Sequence, residues 1–195
     1  MKEKARLGLA LCGSYCTYEK LFAQVERLKD SYELFPIMSE TAAATDSRFG
    51  RAQELMEQLN EICGRRPILT IAAAEPLGPK NPLEAMLICP CTGNTAAKLA
   101  RGITDTAVTM AAKAHLRADR PLVLALASND ALSGNLATVA LLCEKKNVYL
   151  VPMSQDDPIG KPHSLVAHFS MVLPTLDSAR QGKQIQPLLR CPGGE

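Results

Sequence analysis

Apolar runs and helical repeats alternate along the chain. Five runs that are apolar throughout predict buried strands at residues 6–12, 32–38, 86–89, 121–127 and 148–152. Between them, apolar residues recur at intervals of three and four, which predicts helices at 18–30, 49–63 and 133–145, and two short helices that break near Gly102. Gly64 follows the second repeat, as is typical of a helix C-terminus. The pattern indicates a parallel sheet that helices cover on both faces.

The alternation predicts an α/β fold with a three-layer, doubly wound parallel sheet of five to six strands, flavodoxin-like or Rossmann-like in order. With 195 residues, 47% of them hydrophobic, the chain can bury a core of its own. We predict a single domain over 1–195, with a helical extension at the C-terminus from about residue 153. Residues 65–84 contain four prolines and predict a loop-rich excursion.

Charge and composition argue against several classes of partner. A net charge of +2 gives no electrostatic case for nucleic acid or an anionic membrane. Aromatic residues make up 4% of the chain and Trp is absent, which disfavours a base-stacking surface. No apolar run approaches the ~18 residues of a membrane span. We therefore expect neither nucleic acid nor a membrane as a partner.

The cysteines predict a reducing compartment and no metal site. There are seven, an odd number, and most lie in apolar runs. Their spacings and the three histidines do not form a zinc pattern. The apolar stretch "LGLAL" before Cys12 is shorter than the ~7–15 residues of a signal-peptide core. We expect reduced thiols in a cytoplasmic protein.

Small polar residues follow four of the predicted strands. Because ligands of doubly wound sheets bind beyond the carboxyl ends of the strands, these residues predict a binding site. They also precede predicted helices, whose free N–H groups bind anions. We expect an anion at the helix after Pro90, held by the amides of residues 93–95 and the hydroxyls of Thr92 and Ser14. The chain has neither G-x-x-x-x-G-K-[ST] nor G-x-G-x-x-G, the two common nucleotide motifs.

The stretch "PCTGNTAAKLARGITDTAVT" closely resembles "PASANTIAKLANGIADNLLT" of the flavoprotein family of homo-oligomeric, flavin-containing cysteine decarboxylases. "LCGSYCTYEK", "IMSETA" and "LALASN" resemble its "TGSIAAYK", "VMTESA" and "LAPAMN", in order, at three other strand ends. The resemblance implies FMN as cofactor and a trimer or a multiple of it. The Ala-rich stretch 106–116 would allow close helix contact between copies.

The same resemblance assigns the flavin site. It places hydroxyls of the first two strand ends near the phosphate and ribityl chain, and the residues after Pro90 by the phosphate or ring. The implied cofactor-binding residues are Gly13, Ser14, Ser39, Thr92, Gly93, Asn94, Thr95, Asp105, Thr109 and Asn129. The decarboxylases carry a catalytic His in a loop that here reads "PILTIAAAEPLG", without His. The sequence therefore identifies no catalytic residue.

"AEPLGPKNPL", "SNDALSGN" and "QDDPIGKPHS" resemble one branch of the family more closely. Members of that branch are the B subunit of an NADP-dependent oxidoreductase in endospore-forming bacteria, where a dehydrogenase-like A subunit carries NADP. The resemblance implies a small dicarboxylate substrate and the mother-cell cytoplasm as location. A dianion requires cations, and we predict Arg48 and Lys80, in loops near the strand ends, as its ligands; Lys98 and Lys161 are also near in sequence.

Three hypotheses remain open at this stage. The chain is a flavin-fold subunit of that oxidoreductase, an autonomous FMN enzyme of the decarboxylase or prenyltransferase type, or a flavin-free partner that stabilises the A subunit. The missing His counts against the second hypothesis.

Overall fold

The computed structural model describes residues 4–78 and 83–191. Its strands are β1 (Ala5–Leu11), β2 (Tyr32–Met38), β3 (Ala85–Thr92), β4 (Leu122–Ser128), β5 (Val148–Leu150), β6 (Met153–Ser154) and β7 (Leu165–Ala167). Its α-helices are α1 (Tyr18–Ser31), α2 (Glu40–Ala44), α3 (Ala52–Cys63), α4 (Ile71–Ala74), α5 (Gly93–Arg101), α6 (Ala107–Leu116), α7 (Leu136–Glu144) and α8 (Val172–Ala179).

The strands form one sheet in the order β2-β1-β3-β4-β7-β6, with β5 paired to β4. β1 to β5 are mutually parallel, whereas β7 runs antiparallel to β4 and β6. The predicted α/β, flavodoxin-like class is confirmed, in a sheet of seven strands of which one, the short β7, runs antiparallel to the others. β5 pairs with residues 122–124 of β4, and β7 pairs with residues 127–128, so two short strands share one edge of β4.

Helices bury both faces of the sheet. Successive residues of a strand point to opposite faces, so Leu87 and Ile88 enter different cores. Leu87 packs in a cluster with Leu9 and Val25, the latter from α1. Ile88 packs in the other cluster with Ala111 of α6. Strands buried on both faces explain why the runs are apolar throughout rather than alternating.

The C-terminal region differs from the predicted helical extension. β6 and β7 come first, and α8 is the one α-helix among residues 153–191. Leu165 and Ala167 are buried while Val166 is half-buried, the alternation of a strand with one covered face. The unpaired end of β4 supplies the hydrogen-bonding edge for β7, a tertiary partner that local periodicity does not reveal.

The loop-rich excursion contains short helices. α4 begins after Thr70, whose hydroxyl accepts from the amide of Ala73 at 3.2 Å. A 3-10 turn over Glu75–Leu77 follows it directly. Within the described residues, no helix is long and apolar enough to cross a membrane.

Candidate functional site

The carboxyl ends of β1, β3 and β4 border an open cleft of about 650 Å³. These strands are neighbours and parallel, so the residues that follow them meet at one edge of the sheet. Six of the sequence-predicted residues line the cleft: Gly13, Ser14, Thr92, Gly93, Asn94 and Asn129. The sheet order thus gathers residues that are more than one hundred positions apart in the chain.

A smaller pocket of about 310 Å³ adjoins the cleft. The two share Gly13, Thr92 and Asn94 in their linings. The smaller pocket adds hydroxyl side chains, one carboxylate and one ammonium group, from Ser39, Glu40, Thr41, Thr95, Lys98 and Thr106. Two of the predicted residues, Ser39 and Thr95, therefore lie here rather than in the cleft.

The first turn of α5 forms the boundary between the two pockets. Thr92 caps this helix, and its Oγ1 accepts from the Thr95 amide at 3.3 Å. The Thr92 hydroxyl donates to Thr95 Oγ1 at 3.2 Å, and the Thr95 hydroxyl donates to Cys12 Sγ at 3.3 Å. The expected set of three anion-binding amides is thus reduced, because Thr92 already satisfies the amide of Thr95. The first amides of a helix have no acceptor within the helix. The amides of Gly93 and Asn94 are in this position at the start of α5.

A hydrogen-bonded cluster at the end of β4 covers Gly93. The Ser128 hydroxyl donates to Asp130 Oδ1 at 2.6 Å, and Asn135 Nδ2 donates to Asp130 Oδ2 at 2.7 Å. These bonds, that of Ser128 foremost, hold the pKa of Asp130 below its usual value. All three side chains line the cleft. None was predicted as a site residue, although "SNDALSGN" placed them after a predicted strand.

The loop between β6 and β7, which lies beside the end of β4, contributes an ion pair to the cleft lining. Lys161 Nζ lies 2.8 Å from Asp156 Oδ2, and the Ser164 hydroxyl donates to Asp156 Oδ1 at 2.6 Å. Burial acts to raise the pKa of Asp156, but the hydrogen bonds from Lys161 and Ser164 outweigh it and lower the pKa. The hydrogen bond to Asp156 raises the pKa of Lys161. Lys161 is the sole cationic side chain in the cleft lining among the described residues.

Two predicted cofactor residues lie outside both linings. Thr109 is fully buried in α6, where its hydroxyl exchanges hydrogen bonds with Thr106 in a capping box. Asp105 is exposed and pairs with Lys98, 2.8 Å away, which lowers the pKa of Asp105. Asp105 therefore acts on the smaller pocket through Lys98, and Thr109 stabilises the start of α6.

Arg48, one of the two cations predicted to bind the substrate, does not line the cleft. Arg48 is exposed, and its guanidinium lies 4.8 Å from the ring centre of Phe49. Phe49 lines the cleft, whereas Arg48 does not. Stacking on Phe49 accounts for this orientation. Lys80 lies outside the described residues. Lys161, another of the cations near the site in sequence, does line the cleft.

The titratable groups of the two linings define the available chemistry. The cleft contains Asp130, Asp156, Lys161, the exposed thiol of Cys16 and the phenol of Tyr15. No histidine lines either pocket among the residues that the structure describes. Nor do those residues contain a group of three His, Cys, Asp or Glu side chains suited to a metal ion. The arrangement presents hydroxyls, amides, the Lys161–Asp156 ion pair and the Lys98 ammonium group to a polar ligand.

An α/β fold with a polar cleft at its strand ends is the architecture of flavin-binding proteins of this type, and the chain belongs to the flavoprotein family. The sequence pattern described as "Flavoprotein" matches residues 1–163. The chain is 42% identical over 185 residues to the B subunit of dipicolinate synthase from Bacillus subtilis (strain 168), across 94% of this chain and 92% of that protein. Both the family and the branch predicted from the sequence are confirmed.

Solved structures agree with this assignment. The crystal structure of the B subunit of dipicolinate synthase from Bacillus halodurans C superposes with a TM-score of 0.87 and 38% identity, over 95% of this chain and 96% of that one. The FMN-dependent cysteine decarboxylase SpaF superposes with a TM-score of 0.66 and 23% identity, over 90% and 97% of the two chains. The second likeness concerns the fold alone.

Proposed function

We propose that the chain binds FMN across the two joined pockets and acts as the B subunit of a dipicolinate synthase. In this function it works with a dehydrogenase-like A subunit that holds NADP. The pair oxidises dihydrodipicolinate to dipicolinate, pyridine-2,6-dicarboxylate, in the mother-cell cytoplasm of a sporulating bacterium. The observation that carries the proposal is the pair of adjoining pockets in a chain 42% identical to such a protein.

The smaller pocket suits the phosphate of FMN. Lys98 supplies a positive charge, and its side chain is only 23% exposed. The Ser39 oxygen accepts from the Ala42 amide at 3.2 Å, which leaves the hydroxyl hydrogen for a phosphate oxygen. The amides at the start of α5 add donors on the boundary with the cleft. Phosphate binding by hydroxyls, amides and one Lys requires no glycine-rich nucleotide motif.

The larger cleft suits the flavin ring and the substrate. Its volume of about 650 Å³ lies within the usual range for small-ligand sites, ~300–1,000 Å³. FMN, when bound, supplies a two-electron acceptor. The chain's own contribution is to hold the ring against the α5 boundary and to bind the substrate carboxylates. Lys161 serves this second purpose by exchanging its contact with Asp156 for a substrate carboxylate.

The partner supplies what this chain lacks. There is no G-x-G-x-x-G motif to hold NADP, and no histidine lines the described pockets as a general base. We therefore assign the dinucleotide to the A subunit. We also propose a homo-oligomer, a trimer or a multiple of it, on the family resemblance alone. The Ala-rich helix does not add to that argument, because Ala107, Ala111 and Ala112 of α6 are buried within their own chain.

Flavin binding is tested by titrating the purified chain with FMN and following the quenching of flavin fluorescence. We expect saturable binding of one FMN per chain. Failure of FMN to bind at micromolar concentrations would leave a flavin-free partner of the A subunit as the remaining hypothesis.

The role in the complex is tested by following NADPH absorbance with dihydrodipicolinate and NADP. We expect little product from either protein alone and full activity from both together. Dipicolinate binding to Lys161→Gln should weaken about ten-fold, as for loss of a charge-assisted contact. Lys146→Gln is the matched control. Lys146 pairs with Asp119 and precedes β5, so it lies at the amino ends of the strands, whereas the cleft lies at their carboxyl ends. Full activity from the A subunit alone would reject the catalytic role.

A further inference from the structure

The turn after β4 presents a fixed set of polar groups to the cleft. Asp130 lies at its centre, with Asn129 beside it in sequence and Asn135 bound to its side chain. The amides of Ser133 and Asn135 donate to the Asp130 carbonyl, each at 3.0 Å, so the turn folds back on itself. The Asp130 carboxylate is thereby held at the first turn of α5, where Oδ1 would lie 3.1 Å from a β-carbon on Gly93.

The orientation of the Asn135 amide is determined by its neighbours. The Thr138 hydroxyl donates to Asn135 Oδ1 at 3.0 Å, and Nδ2 donates to Asp130. These two bonds fix which end of the amide carries the oxygen, and the NH₂ group retains one hydrogen beyond the bond to Asp130. Each Asp130 oxygen accepts one hydrogen bond within the turn and has capacity for another. The Asn129 amide also lines the cleft.

These groups present an acceptor flanked by amide donors. An ionised carboxylate only accepts hydrogen bonds, so it repels phosphate and carboxylate groups and requires an N–H or O–H of the ligand. The imide edge of a flavin ring has the complementary pattern, an N–H between two carbonyl oxygens. The phosphate has no such pattern, and the cation and hydroxyls that suit it lie in the smaller pocket.

We propose that Asp130 is a specificity-determining residue of the cleft, which accepts the imide N–H of the flavin and directs the phosphate toward the smaller pocket. This inference rests on the FMN binding proposed above. It concerns a residue that lies next to the Asn129 expected from the family resemblance and that the resemblance itself does not assign. Ser128 and Asn135 act through it as positioning residues.

The test compares FMN with FMN methylated at the imide nitrogen. The natural chain should bind FMN about ten-fold or more tightly than the methylated form, because a hydrogen bond to a charged acceptor is lost. Asp130→Ala should bind the two with nearly equal affinity. Asp119→Asn is the control: Asp119 pairs with Lys146 away from the cleft, and this variant should keep the full preference.

A second measurement distinguishes the effect of the Asp130 charge from the effect of the size of its side chain. In a pH titration of bound FMN, the carboxylate opposes ionisation of the imide, so the absorbance change should occur at higher pH than for free FMN. Asp130→Asn preserves the size of the side chain and should move the change toward lower pH. Equal binding of both flavins by the natural chain, or an unaltered titration in Asp130→Asn, would overturn the role of Asp130 while FMN binding stands. No FMN binding by the natural chain would overturn both proposals.

Discussion

The Ser128 side chain lies against the α-carbon of Gly93 and joins the end of β4 to the first turn of α5. A β-carbon on residue 93 would overlap Ser128 Oγ and would come within 3.1 Å of both Asn135 Nδ2 and Asp130 Oδ1. Glycine is therefore required here by space. The contact brings the polar cluster of β4 onto the helix that separates the two pockets.

Gly93→Ala should destabilise the fold by about 1–3 kcal/mol, the usual cost of overpacking. Urea denaturation measures the change in the free energy of unfolding. Gly134→Ala is the matched control, because a β-carbon there would meet Asp130 Oδ2 at 3.9 Å, an ordinary contact. The double variant Gly93→Ala with Ser128→Ala should lose less than the sum of the single changes, since the overlapping hydroxyl is removed. Strict additivity would contradict this account.

Lys98 should discriminate FMN from riboflavin, which lacks the phosphate. Lys98→Gln should reduce FMN affinity about ten-fold and leave riboflavin affinity unchanged, because only the phosphate meets the charge. Asp105→Asn should act in the opposite direction, since Asp105 holds Lys98 at 2.8 Å and competes with the phosphate. Both affinities are measured by fluorescence titration. A parallel loss of riboflavin binding in Lys98→Gln would place the effect on the fold of the pocket instead.

The strands and the first site residues could be predicted because their signals are local. β2 occupies residues 32–38 as its apolar run predicts, and Thr92 and Asn94, at the carboxyl end of β3, line the cleft where a doubly wound sheet is expected to bind ligands. Asp130 was missed because its position depends on a turn that folds back onto Gly93. Lys161 reaches the cleft only because β7 returns to the free edge of β4. Such tertiary pairing leaves little trace in local sequence.

The buried His115 should make stability depend on pH. Burial lowers the pKa of His115, the nearby Arg120 charge adds to this, and the hydrogen bond to the Pro121 carbonyl opposes it. With a lower pKa in the folded state, the unfolded chain takes up a proton first as the pH falls below ~6.5, so stability is lost on acidification. The free energy of unfolding should therefore fall between about pH 7.5 and 5.5.

His115→Gln removes this ionisation and keeps a side-chain N–H for the Pro121 carbonyl. The variant should show a smaller fall in unfolding free energy over the same pH interval than the natural chain. His163→Gln is the control, because His163 is exposed and its replacement should leave the fall unaltered. An equal fall in His115→Gln would assign the acid sensitivity to other groups.

The buried and the exposed cysteines should differ in reactivity. Burial raises the pKa of Cys12 to about 11 and also raises the pKa of Cys89 and Cys91, so these thiols are both inaccessible and protonated. Cys16 and Cys143 are exposed. At about pH 8, an aromatic disulfide reagent should modify the exposed thiols of the folded chain, and the buried ones only after unfolding. Peptide mass spectrometry identifies the sites.

A ligand bound in the cleft should protect Cys16 from modification, so the reactivity of this thiol reports whether the cleft is occupied. Cys16 lines the cleft beside Ser14 and Thr17, whereas Cys143 lies on α7 outside both pockets. If FMN binds there, it should slow modification of Cys16 and leave Cys143 unaffected, because only the first thiol shares the ligand's volume. Dipicolinate should act in the same way if Lys161 binds its carboxylate, and this protection should be lost in Lys161→Gln. Equal modification rates at Cys16 with and without either ligand would place ligand binding outside the cleft between β1 and β4.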